Sequence, residues 1–198
     1  MYLVVLCALV AYANAANRLC HGDIDQLHPT GKHTGGVAGS NAEVQHDLPA
    51  LNNHRSCYQQ SADTNCIQAS VIAALASRES RGGSLLVSTG GWGDNHHAWG
   101  ILQCDVANSG LPCTSVPWDS CAHIEMMVHR LLVPYINQVK AKHPDWSQHQ
   151  ALQGGVAAYN FGVSNVQSWG GLDIGSTGND YSNDVIARAK WLKANGWN

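Results

Sequence analysis

Cysteine placement constrains this chain more than any other feature. The sequence holds seven cysteines. Cys7 lies in an apolar N-terminal run, Tyr2–Tyr12 (YLVVLCALVAY), which is too short to span a bilayer at about 20 residues. The run is followed by Ala13-Asn14-Ala15, a small-x-small pattern that reads as a secretory signal cut after Ala15. Cys20, Cys57, Cys66, Cys104, Cys113 and Cys121 remain. An even set in a secreted chain implies three disulfides, with fifteen connectivities open to six cysteines. No Cys-x-x-Cys spacing suggests a zinc site instead, and no metal is expected.

Residues 16–198 are long enough for one domain with a buried core, with 16–40 as an irregular Gly-, His- and Thr-rich arm. Ser40 or Asn41 could cap a helix running to about residue 61. From Cys66 onward, Ile67, Val71, Ala74 and Leu75 follow helical spacing, and Gly82-Gly83 supplies the stop. Residues 84–105 alternate short β-prone runs with Gly-rich turns, the pattern of a small antiparallel sheet. Ile124, Met127, Val128, Leu131, Leu132, Ile136 and Val139 form a long buried stripe that Pro134 should kink. Ser147 opens a helix through Tyr159, and Asn179 or Asp180 caps a final one through Leu192, with Lys190, Lys193 and Gly196 at its end. The fold class is mainly α (α+β), a single domain with one small β region.

Function classes narrow on charge. Lys and Arg total 11 against 14 Asp and Glu, a formal charge of −3. Nucleic-acid binding needs a clustered basic surface. A polybasic membrane patch needs a Lys/Arg run, and the chain has none. No nucleic-acid partner, no membrane insertion and a monomer are therefore expected. If all 11 histidines protonated, the charge would move from −3 to −3 + 11 = +8, favouring an anionic polymer in mild acid.

Glu79 stands out among the carboxylates. On a 3.6-residue helix it shares a face with Ile72, Leu75 and Ala76, and it sits in the last turn, where the helix dipole opposes negative charge. Burial and dipole both raise its pKa, which suits a general acid; the bland alternative is an ion pair with Arg78 or Arg81. Asp94 and Asp105 follow in the β region, either as partners of that acid or as turn residues bonding their own backbone. An acid plus a second carboxylate is the equipment of glycoside hydrolysis. Trp92, Trp99, Tyr159 and Asn160 are candidate sugar contacts, through stacking and hydroxyl bonding.

SRES (Ser77–Ser80), GWGDNHHAWGILQCD (Gly91–Asp105), AYNFGVSNVQSWGGLDIGST from Ala158 and NDYSNDVIARA (Asn179–Ala189) together resemble the goose-type (g-type) lysozyme family, in order and over most of the mature chain. The resemblance implies a lysozyme-like fold, with helices around a central catalytic helix, and hydrolysis of the β-1,4 bond between N-acetylmuramic acid and N-acetylglucosamine in peptidoglycan. It casts Glu79 as general acid, Asp94 and Asp105 as positioning water with inversion, and Gln103, Tyr159 and Asn160 as lining the saccharide groove. It requires no cofactor. It also implies a Cys20–Cys66 disulfide. Pairing of Cys57, Cys104, Cys113 and Cys121, which are extra to the family pattern, stays open; Cys104–Cys113 across a short loop with Cys57–Cys121 is one arrangement. Phe161 replaces a small residue, and the Glu79-to-Asp94 connection is slightly long. Two other readings compete: a lytic transglycosylase forming 1,6-anhydro products, which needs no second carboxylate, and a wall-binding protein without catalysis.

Overall fold

The computed structural model describes residues 19–197, so the signal reading for residues 1–15 lies outside the described residues. The arm is irregular up to a short 3₁₀ turn at Ile24–Gln26 and a Lys32–Gly36 bridge. Helix α1 (Gly36–Asn53) and α2 (Arg55–Asn65) occupy the region expected to hold one helix. Ser40 does not cap: its hydroxyl accepts the Lys32 N–H at 2.9 Å and tethers the arm from inside α1. The break falls at His54, after Asn52-Asn53, where three poor helix formers coincide. It lets α2 turn and set Cys57 beside Cys121.

Helix α3 (Ala69–Ser80) starts after Gln68, later than expected, because Cys66 takes a left-handed conformation (φ 53°). Its small residues Ala69, Ser70, Ala73, Ala74 and Ala76 are fully buried, so neighbours close in on every side. The left-handed stop falls on Arg81 (φ 53°) rather than on Gly82, and the Gly82 N–H reaches back to the Ala76 carbonyl at 2.9 Å. A 3₁₀ segment (Ser84–Thr89) leads into three two-residue antiparallel strands: β1 (Trp92–Gly93), β2 (Ala98–Trp99) and β3 (Cys104–Asp105). Trp92 pairs with Trp99, and Ala98 with Asp105.

The long apolar stripe becomes α4 (Cys121–Met127), a π-helical turn (Val128–Leu132) and α5 (Val133–Lys142). The π-helical turn spans Arg130, whose carbonyl is the one that the Pro134 ring crowds and leaves without its usual donor, so the disruption expected at Pro134 takes the form of a widened turn within a continuous helix. Helix α6 (Gln148–Phe161) opens with a full capping box between Ser147 and Gln150. Helix α7 (Tyr181–Ala194) follows Asp180 and packs along α1 and α3. The architecture is helical with a small antiparallel sheet, α3 at its centre.

Three disulfides form: Cys20–Cys66, Cys57–Cys121 and Cys104–Cys113. Their sequence separations of 46, 64 and 9 residues correspond to about 4, 4 and 2.5 kcal/mol of unfolded-state entropy. Among the described residues, no helix is long and apolar enough to cross a membrane.

Candidate active site

Three residues of the SRES motif meet the last helix, α7, and the fourth meets the β region. The Ser77 hydroxyl donates to Asp47 at 2.7 Å and accepts from Arg188 at 2.8 Å. Arg78 bonds Asp184, reaches Asp180 at 3.1 Å and donates to the Thr177 carbonyl at 2.9 Å. Ser80 donates to the Ile101 carbonyl at 2.7 Å, pinning the helix tip to the turn between β2 and β3. Glu79 alone turns toward solvent, at the base of a groove. The Arg78 and Arg81 guanidinium groups are taken up elsewhere, Arg81 lying 3.8 Å from Glu43, so Glu79 has no ion-pair partner among the described residues.

Burial pushes the Glu79 carboxyl up to about 7, against the pull of a hydrogen bond from the Tyr181 hydroxyl and the nearby Arg78 charge. Because α3 is buried nearly all round, the apolar face inferred for Glu79 is shared by the whole helix; its place at the open tip is what sets it apart. Tyr181, the first residue of α7, went unrecognised in the sequence. Its neighbourhood in NDYSNDVIARA was visible there, but not the 102-residue jump that sets its hydroxyl on Glu79. Arg78 lies 5.3 Å from the Tyr181 ring centre and closes the far side.

The groove encloses about 530 Å³ and is lined by Glu79, Asp94, Gln103, Asp105, Tyr159 and Asn160, with Tyr135, Asn108 and Phe161 as further walls. A second stretch of about 390 Å³ shares Glu79, Asp94 and Gln103 and runs on past Trp92 and His96. Six of the eight expected site residues therefore line the main groove, and Trp92 lines its extension. Trp99 lines neither. Its indole N–H is spent on the Val116 carbonyl at 3.1 Å, and its ring braces Trp92 edge-on at 4.9 Å.

Asp94 owes its position to backbone geometry. Asp94, Asn95 and His96 have φ of 42°, 52° and 69°, three left-handed residues in a row, of the types that tolerate this region best. The Asp94 carbonyl accepts from the His97 N–H at 2.9 Å and closes the turn, while His96 lies against Trp92. Among the described residues, no donor bonds the Asp94 carboxylate, which is left to the groove. The long connection from Glu79 does not keep Asp94 away. The Gln103 amide lies over the bare Gly93 backbone, where a Cβ would fall 1.9 Å from its Oε1 and displace it.

Asp105 is different. Its Oδ1 accepts from the Ala107 and Asn108 N–H groups, and its Oδ2 from the Asn108 amide, all at 2.9 Å. The Asn108 side chain, followed by these backbone donors, holds the carboxyl below the usual range. The turn-residue reading thus describes its hydrogen bonds, and yet the group still faces the groove. The Tyr159 hydroxyl donates to the Leu102 carbonyl at 2.6 Å, and Asn160 makes a two-way clasp with Thr177 at 2.8 and 3.1 Å.

The chain matches the lysozyme g family model over residues 22–196. It belongs to the lysozyme g family. The match is with the goose-type lysozymes, and membership makes the chain a glycoside hydrolase of the lysozyme class. It is 35% identical over 188 residues to lysozyme g of Gallus gallus, covering 90% of this chain and 86% of that one. Against lysozyme g of Takifugu rubripes it is 39% identical over 168 residues, covering 83% and 87%. It is 50% identical over 192 residues to a glycine, glutamate and proline-rich protein of Lottia gigantea, covering 90% of this chain but only 46% of that protein's length.

The all-histidine charge of +8 is not reached in mild acid. His123 is fully buried, and burial pushes its pKa down to about 4; burial also lowers His21 and His54. His28, His33, His46, His96, His97 and His129 are exposed.

Proposed function

We propose that this lysozyme g family member is a secreted, inverting muramidase that hydrolyses the β-1,4 bond between N-acetylmuramic acid and N-acetylglucosamine in bacterial peptidoglycan, serving antibacterial defence or digestion of bacteria. The observation that carries this reading is one groove lined by a carboxyl pushed up to about 7 and by two further carboxylates, Asp94 and Asp105. A group titrating near neutrality keeps a proton available for the departing sugar oxygen, which general acid catalysis requires. In this reading Glu79 donates that proton. Asp94, whose carboxylate is unbonded, takes a proton from the attacking water, and Asp105, kept ionised by its own loop, orients the water and balances charge at the sugar. Inversion needs space for a water between carboxylate and sugar, with about 6.5–9.5 Å between the two carboxyl groups. Trp92 offers a stacking surface, and Gln103 and Asn160 offer amides to sugar hydroxyl and acetamide groups. A secreted destination agrees with three disulfides.

Mass spectrometry of muropeptides released from purified walls tests the reaction. Reducing ends are expected, with Glu79→Gln lowering the rate by about 10²–10⁴. Dominant 1,6-anhydro ends would reassign the enzyme as a transglycosylase, and undiminished clearing by Glu79→Gln would remove Glu79 from the mechanism.

A further inference from the structure

The wall of the groove that carries Asp105 is one small covalent loop. Asp105, Asn108 and Ser109 all line the groove, and all lie between Cys104 and Cys113, which are bonded to each other. The two sulfurs are buried, whereas Asp105, Val106, Ala107 and Asn108 are exposed. Outside the bridge, the loop is held to the sheet by β3 pairing and by the Val106 N–H on the His97 carbonyl at 3.0 Å. The Ser109 hydroxyl sits 3.5 and 3.4 Å from the two sulfurs, so the bridge also fixes the residue at which the loop turns back. The rest of the loop's bonding runs inward: Ala107 and Asn108 are spent on the Asp105 carboxylate, and the Ser109 N–H on the Asp105 carbonyl at 3.1 Å. With its covalent closure cut, the far end of the loop is left to the packing of Leu111 and residue 113 on the core, while its near end keeps the sheet pairing of Asp105 and the Val106 N–H.

We propose that the Cys104–Cys113 disulfide is a positioning element of the site, holding Asp105 in register with the groove, whereas Cys57–Cys121 serves the scaffold alone. The proposal rests on the muramidase reading for its activity arm only. The two bridges make a matched pair. By chain entropy the longer loop of Cys57–Cys121 contributes more stability, since 64 residues separate its ends against 9. It touches neither stretch of the groove. Position and stability therefore predict opposite orders of effect.

The test compares Cys104→Ser/Cys113→Ser with Cys57→Ser/Cys121→Ser, each in the full secreted chain with its other bridges intact. Turnover is measured on a soluble, peptide-free peptidoglycan oligosaccharide of alternating N-acetylglucosamine and N-acetylmuramic acid, well below the melting temperature, and amide hydrogen exchange is followed at Ala107 and Asn108. Removing Cys104–Cys113 is expected to lower kcat by about 10–100-fold, as small misplacements of a reacting group do, with a smaller change in KM and with loss of protection at both amides. Removing Cys57–Cys121 is expected to lower the melting temperature more while keeping kcat and protection. Retention of kcat and protection without Cys104–Cys113 would overturn the proposal, as would losses that follow melting temperature in both variants. If the parent protein hydrolyses nothing, the muramidase reading fails, and the exchange data alone decide the positioning claim. Asn108→Ala, made with the bridge present, loosens the same carboxylate without touching a cysteine. It should reproduce the kcat loss, and adding bridge removal to it should cost less than the sum; full additivity would count against a shared route.

Discussion

Glu79→Gln should stabilise this protein, and only on the alkaline side. The carboxyl is raised from 4.5 to about 7, chiefly by burial. Between those values the folded chain holds a proton that the unfolded chain has released. Stability therefore falls as pH rises through that window, and the loss is complete above pH 7. At about 1.4 kcal/mol per pH unit, the penalty reaches at most about 3.5 kcal/mol. Glutamine is isosteric, can still accept from the Tyr181 hydroxyl, and never ionises. It leaves stability near pH 4 almost unchanged and removes the penalty at pH 8. For a chain of this length that amounts to a melting-temperature gain of up to roughly 7–14 °C at pH 8. Scanning calorimetry of both proteins at intervals from pH 4 to 8, disulfides intact, gives the difference curve directly. A variant offset that stays constant across that range would refute the claim that Glu79 is a buried acid with a raised pKa, whatever its effect on activity.

Two further outcomes follow from the same surroundings. Tyr181→Phe removes a hydrogen bond that favours the ionised form of Glu79, so Glu79 should titrate higher and the alkaline limb of the pH–rate profile should move up by about one unit; a downward or absent shift in that profile would contradict the assignment. Binding to bacterial walls should be stronger at about pH 5 than at about pH 7.5, through the exposed histidines, and should weaken with added salt; sedimentation with labelled walls reads both.

Much of this arrangement could be read from local pattern. Ser147 announced α6 because its cap and its Gln150 partner are three residues apart, and the β region showed itself through glycines flanking short runs. Glu79 was legible because burial and a helix end both act within a single turn. What escaped notice depends on distant chain segments. The pairing of Cys57 with Cys121 across 64 positions of sequence is one such case. Trp99 and Trp92 look equivalent in sequence, and register pairs them on one face of the sheet; the bond from Trp99 to the distant Val116 carbonyl is what turns its ring away from the groove. Tyr181 acts on Glu79 from 102 residues away, and no helical or strand periodicity links the two. The paired cysteines were countable at once, but only proximity in space assigned four of them.

The overlap of Gly93 with the Gln103 amide means that these two positions behave as one part made from two pieces. A methyl group at 93 meets the flexible end of the glutamine and moves its amide off the backbone. Varying 93 therefore also resets a side chain that lines the groove, and libraries that vary both positions together reach floor shapes that neither reaches alone.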